Sequence, residues 1–141
     1  MKLGGFDAPL DLRAHAPGEW LVLKTFTYHS LLLPNPVTVP AGFVTDLASI
    51  PPLLRPVFDQ NDASRQPAVL HDWLYCSKNL SRSEADALFL EALAHVGVGR
   101  LRRLAMYAAV RAFGGRYWGS RNGLKQDDFA LLPEREESRH G

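Results

Sequence analysis

Ala68-Val69-Leu70-His71-Asp72-Trp73-Leu74-Tyr75-Cys76-Ser77-Lys78, then Asn79-Leu80, then Ser81-Arg82-Ser83-Glu84-Ala85-Asp86-Ala87-Leu88-Phe89, is the stretch whose reading decides the fold. Pro67 suits a first helical turn, where its missing N–H leaves no hydrogen bond unmade. The apolar run after it predicts a helix to about Lys78. Ser81-Arg82-Ser83-Glu84 has the form of a capping box, with Ser81 accepting from the third helical N–H and Glu84 reaching back. It opens a second helix whose apolar residues recur as Ala85, Leu88, Phe89, Ala92, Leu93 and Val96, a one-faced stripe. Gly97 and Gly99 stop it. Arg100 to Phe113 predicts a third helix with Leu101, Leu104, Ala105, Ala108 and Ala112 on its packing side, small residues that suit close approach to another element. Gly114-Gly115 interrupts that helix, and Arg116-Tyr117-Trp118 extends it or caps the core.

Upstream, the period changes. Leu10 to Ala14 alternates as a short strand, and Pro17-Gly18 marks a turn. Trp20 to Leu33 is rich in aromatic and β-branched residues and reads as one strand or as two with a bend. Pro34-Asn35-Pro36 turns the chain into a strand at Val37-Thr38-Val39, and Pro40-Ala41-Gly42 ends or bulges it. The expected fold is α+β: a small antiparallel β-meander in the N-terminal third, before about Pro51, packed against about three α-helices. One domain over residues 1–126 is expected, with 127–141 a loosely held charged tail.

With 141 residues, 46% hydrophobic and 22% charged, the composition is that of one globular domain able to bury a core without staples. Cys76 is the only cysteine, which excludes an intramolecular disulfide. No apolar run approaches the roughly 20 residues of a membrane span, and Asp7 and Asp11 break up the N-terminal segment that a signal peptide would need. The expectation is a soluble protein made in the cytoplasm, with no membrane partner; packaging into a virus particle stays open. Net charge is +1, but Val96 to Lys125 holds seven basic residues and no Asp or Glu. Arg100, Arg103, Arg111, Arg116 and Arg121 are candidates for a surface that meets nucleic acid or an acidic protein face. The plainer reading is a solvated helix face.

Four polar residues stand in apolar surroundings. Asp46 follows Phe43-Val44-Thr45 and precedes Ser49, His71 and Asp72 sit inside the first predicted helix, and Asp86 opens the second. Such groups are costly unless paired or ligating. Asp46, His71, Asp72 and Asp86 are therefore the candidate catalytic set. Asp46, His71 and Asp86 are the candidate ligands of a divalent metal ion such as zinc or manganese, which with an open position could activate water. The alternative is a paired polar core: Asp46 capping a turn near Ser49-Ile50, Asp86 favoured by the helix dipole, and His71 bonded to Asp46 or Asp86. Tyr75 shares a helix face with His71. Cys76 could be a nucleophile but is more naturally buried filler. No glycine-rich phosphate loop is present.

The order GFVTDLASIP, HDWLY, SRSEADALF and AVRAFGG resembles a family found mostly in bacteriophages and prophages, the domain of unknown function 1353. The resemblance runs from about Val39 to Trp118. It implies a phage origin and supplies no catalytic residues. Two functions stand side by side. One is a noncatalytic accessory or virion-associated protein that binds other phage virion proteins or a host factor. The other is a metal-dependent hydrolase acting on a cell-wall, peptide or phosphoester bond.

Overall fold

The computed structural model describes residues 4–47 and 63–133; Ser49 and the turn expected near it lie outside them. Among the described residues there are six strands: β1 (Gly5–Phe6), β2 (Leu12–Ala14), β3 (Trp20–Val22), β4 (Phe26–His29), β5 (Val37–Val39) and β6 (Val44–Thr45). Four α-helices follow: α1 (Arg65–Ser77), α2 (Arg82–His95), α3 (Arg100–Phe113) and α4 (Gly115–Ser120), then a 3-10 turn at Gln126–Asp128. The fold is α+β.

The strands are all antiparallel but form two sheets rather than one meander, with orders β1-β4-β5 and β2-β3-β6. The break falls inside the Trp20–Leu33 run. A continuous strand would set Lys24 on the face of Val22 and Phe26, which are buried, whereas Lys24 is exposed and lies 3.9 Å from Asp11. Keeping that ammonium in water splits the run and sends its halves to different sheets. β1 escapes sequence reading because a two-residue strand opening on Gly5 has almost no alternation to detect.

The helices form much as their sequence dictates. α1 is buried from Pro67 to Cys76, as a helix apolar on all sides must be. It ends on Lys78 in the left-handed region, whose N–H bonds the Leu74 carbonyl at 3.1 Å. The capping box is formed: Ser81 Oγ accepts from the Glu84 N–H at 3.2 Å and Glu84 Oε1 accepts from the Ser81 N–H at 3.0 Å. α1 packs against the sheets through Val69, Leu70, Trp73 and Leu74, which join Val22, Phe26, Tyr28 and Phe43 in one core. A second cluster joins Ala68 to Phe89 and Leu93 of α2 and to Met106 and Val110 of α3.

Two expectations are corrected. α3 turns Met106, Ala109 and Val110 inward. The stripe assigned to its packing side is exposed: Leu101 is 85% exposed, Leu104 43%, and Ala105, Ala108 and Ala112 are open. These residues lie on the helix face opposite Val110, so α2 cannot cover both. The segment after residue 126 is not free at its start. Phe129 bridges Phe43, the Ala130 N–H donates to the Gly42 carbonyl at 2.9 Å, and Phe129 packs edge-on to Phe43 and Trp73. A buried aromatic face needed covering, and the chain supplies Phe129.

Candidate functional site

His71 and Asp86 are both fully buried and meet at 2.6 Å, Nε2 to Oδ1. Three elements build the site around Asp86. From α1, the Tyr75 hydroxyl donates to Oδ1 at 2.7 Å, one helical turn beyond His71. From α3, Arg111 Nη1 donates to Oδ2 at 2.8 Å. From α2 itself, Arg82 lies four residues before Asp86, with Nε 3.9 Å from Oδ2. Arg82 also donates to the Tyr75 oxygen at 3.3 Å and to the Val110 and Arg111 carbonyls at 3.0 and 2.6 Å. Those are late carbonyls of α3, which its own helix leaves partly unbonded. Gly114 lies against the same group: a β-carbon there would come within 2.8 Å of the Tyr75 hydroxyl.

The electrostatics follow. Burial would raise the Asp86 carboxyl, but bonds from His71, Tyr75 and Arg111 outweigh it and hold Asp86 below the usual carboxylate range. Burial is also the leading influence on His71 and lowers it, against the pull of Asp86. The pair is therefore a carboxylate accepting from a neutral imidazole, and Arg111 supplies the balancing charge. Burial, then Asp86, pushes the Tyr75 phenol up, so it stays a donor. Asp86, itself on α2, accepts on both oxygens from three side chains on two other helices, His71 and Tyr75 of α1 and Arg111 of α3. That arrangement ties α1, α2 and α3 together.

Asp72, the next residue, points elsewhere. Neighbours on a helix diverge by about 100°, and Asp72 Oδ2 accepts from the Thr45 hydroxyl of β6 at 2.6 Å. Asp72 lines a polar cleft of about 190 Å³ with Asp46, Cys76, Tyr117, Arg121 and Asp128. Thr45 is buried and Asp46 exposed, because successive strand residues face opposite ways. The buried polar residue of the Thr45-Asp46 pair is thus Thr45. Arg121 is bonded to Asp128, whose Oδ2 also accepts from the Lys125 N–H at 2.7 Å. Burial first, then the Asp72 charge, pushes the Cys76 thiol up to about 12. It is the opposite of an activated nucleophile.

The candidate set therefore divides. His71 and Asp86 are joined, Asp72 belongs to the β6 contact, and Asp46 stands on the cleft's rim. Among the described residues no three His, Cys, Asp or Glu side chains are grouped to hold a metal ion, so the ligand set Asp46, His71 and Asp86 is not assembled. The basic candidates divide as well. Arg111 faces Asp86, Arg121 faces Asp128, and Arg103 donates to the Val98 carbonyl at 3.1 Å. Arg100 and Arg116 are exposed. Three of the five are thus engaged within the chain. Sequence reading missed Arg82 and gave Arg111 to a polyanion surface rather than to Asp86; the signals were the Arg82–Asp86 spacing of four and a basic helix with no acid of its own.

The fold defines a small α+β protein centred on a buried carboxylate. Its family model matches residues 20–110, and the chain belongs to the family described as protein of unknown function (DUF1353). The match contains His71, Asp72, Asp86 and most of α3. The chain is similar to the uncharacterized protein y4iH of Sinorhizobium fredii (strain NBRC 101917 / NGR234), 37% identical over 78 residues, which is 53% of this chain and 32% of that protein. The match thus spans about a third of that relative's length. No solved structure matches the chain. No helix among the described residues is long and apolar enough to cross a membrane.

Proposed function

We propose that this is a noncatalytic binding or assembly protein, a phage-borne accessory or virion-associated component, and that α3 is its contact surface. The phage origin is what the family resemblance implies. The observation that carries the reading is the division of labour around α3. Its inner face is tied into the Asp86 group, while Leu101, Leu104, Ala105, Ala108 and Ala112 lie open along the outer face. Leu104 also edges a hollow of about 420 Å³ between α2 and α3, lined by Leu32, Leu90, Ala94 and Tyr107. Leu31 and Leu32 beside it are 66% and 61% exposed. Apolar surface of this extent marks a contact site more often than free surface.

Charge selects the occupant. The segment from Val96 to Lys125 carries only positive charge, with Arg100 and Arg116 exposed. A second copy docking through the same face would bring like charges together. The fitting partner is a protein segment with an apolar stripe bordered by Asp and Glu, able to seat one large side chain in the hollow. A metal-dependent hydrolase remains the rival reading, and among the described residues no grouped ligand set supports it.

The test replaces Ala108 with a photo-crosslinking amino acid in the full chain, in cells where the protein naturally occurs, and maps the crosslinked peptide. The expected product is a second protein, joined at an apolar segment flanked by carboxylates, and lost when Leu101→Arg is added. A crosslink to a second copy of this chain or to nucleic acid, or no crosslink, overturns the reading.

A further inference from the structure

A separate cleft of about 470 Å³ lies between the Gly4–Pro9 segment and the end of α2, lined by Gly4, Gly5, Asp7, Gln66 and His95 among others. It shares no lining residue with the α3 hollow or the Asp72 cleft. Its chemistry is set by the state of His95. The Tyr28 hydroxyl gives its proton to Glu91 Oε1 at 2.7 Å, and a carboxylate can only accept. Glu91 Oε2 is engaged as well, accepting from the Leu31 N–H at 3.1 Å. Burial first, then Glu91, holds the Tyr28 phenol far above its usual range, so it keeps that proton. At the 2.9 Å contact between Tyr28 and His95 Nδ1, the phenol oxygen must then accept and Nδ1 must donate. In a neutral imidazole this leaves the lone pair on Nε2.

That edge of the ring faces the cleft's two glycines. His95 Nε2 lies 3.3 Å from where a Gly4 β-carbon would be, and Cδ2 lies 3.8 Å from that of Gly5. Both glycines have positive φ, +101° and +104°, and a Gly4 side chain would also meet the His29 carbonyl at 2.9 Å. The remaining side-chain polar capacity is mainly accepting. Asp7 uses Oδ1 for the Thr27 N–H at 2.8 Å, keeping Oδ2, and Gln66 donates one of its two amide N–H groups to the Ala8 carbonyl at 2.9 Å, keeping Oε1 and one N–H. No Lys or Arg lines the cleft among the described residues.

We propose that this cleft binds a primary ammonium group, with His95 Nε2, Asp7 and Gln66 as its acceptors. Three acceptors, one of them charged, match a group that has three donors, a positive charge and no acceptor. A phosphate or carboxylate would meet lone pairs and a negative charge. The ammonium comes either from a lysine side chain or from the amino end of a peptide.

The test is nitrogen-resolved NMR of the full chain titrated with n-butylammonium, Nα-acetyl-lysine methylamide and alanine amide, with butyrate as control. His95 should show the Nδ1–H tautomer before addition. An ammonium probe should then shift His95 Nε2 and the Gly4 and Gly5 amides, with a dissociation constant of about a millimolar, ordinary for so few atoms. The lysine and alanine probes separate the two sources. Asp7→Asn keeps the acceptor for Thr27 but removes the charge, and should weaken binding about tenfold; His95→Phe should do the same or more. An Nε2–H tautomer, equal binding of butyrate, or unchanged affinity in Asp7→Asn overturns the proposal.

Discussion

Replacing Asp86 with Asn keeps the side chain's shape and removes its charge. Asp86 is fully buried and accepts from His71 at 2.6 Å, Tyr75 at 2.7 Å and Arg111 at 2.8 Å. The amide oxygen can still serve His71 and Tyr75 from the position of Oδ1. The amide nitrogen then replaces Oδ2 and sets donor against donor at Arg111. One charge-assisted bond is lost, about 1.5–3 kcal/mol, and the bonds from His71 and Tyr75 weaken to neutral strength. Arg111 is 37% exposed and can turn partly to water, so the cost stays below that of breaking a fully buried ion pair. The expected loss is about 2–4 kcal/mol, which for a chain of this length lowers Tm by roughly 6–12 °C. Urea denaturation followed by tryptophan fluorescence gives the free energy, and calorimetry gives Tm. A loss below about 1 kcal/mol would show that Asp86 does not bind the three helices together.

His71→Ala should cost about 1–3 kcal/mol in the same assay, since it removes a donor from a buried carboxylate. Both buried groups also predict acid sensitivity. His71 is held below the ordinary imidazole value and Asp86 below the ordinary carboxylate value, so the unfolded chain binds more protons than the folded one as pH falls. Stability should be full above about pH 6.5 and decline below it as the unfolded histidine protonates, with a further fall below about pH 4 from Asp86; His71→Gln should flatten the upper part of the denaturation-against-pH curve. The Cys76 thiol, at about 12, should react with a disulfide reagent at pH 8 far more slowly in the native protein than after unfolding; equal rates would place it in solvent. Thr45→Val should cost about 1–3 kcal/mol by leaving Asp72 one bond short, whereas the exposed Asp46→Asn should cost less than about 1 kcal/mol; the reverse order in a melting comparison would put Asp46 in the core.

The helices were legible because their signals are local. The Ser81–Glu84 box and the Ala85–Val96 stripe act within one or two turns. The pairing of His71 with Asp86 was legible as well, because apolar surroundings left few partners for either. Asp46 misled because a polar residue after an apolar strand reads as buried when its neighbour Thr45 is the one turned inward. The role of Arg111 was hidden because it reaches Asp86 through tertiary geometry, and a basic helix looks the same whether or not it faces a buried acid; Arg82 stands four residues before Asp86 on the same helix, a local spacing that an exposed surface pair would show equally. The outer stripe of α3 misled in a more useful way. Its periodicity is that of a packed face, yet this chain supplies nothing to cover it among the described residues, which is what makes it the proposed contact surface.

The buried histidine and aspartate are a fixed tie between helices, and the proposed working surface lies elsewhere. The most direct measurement is the side-chain nitrogen spectrum of His71 across about pH 5–8, the range in which an ordinary imidazole titrates. The expected result is a ring neutral at neutral pH, protonated at Nε2 towards Asp86, that takes up a second proton only below the ordinary imidazole value. A titration near the ordinary imidazole value in the folded protein, or an unprotonated Nε2, would contradict it and return His71 to the candidates for a reacting group.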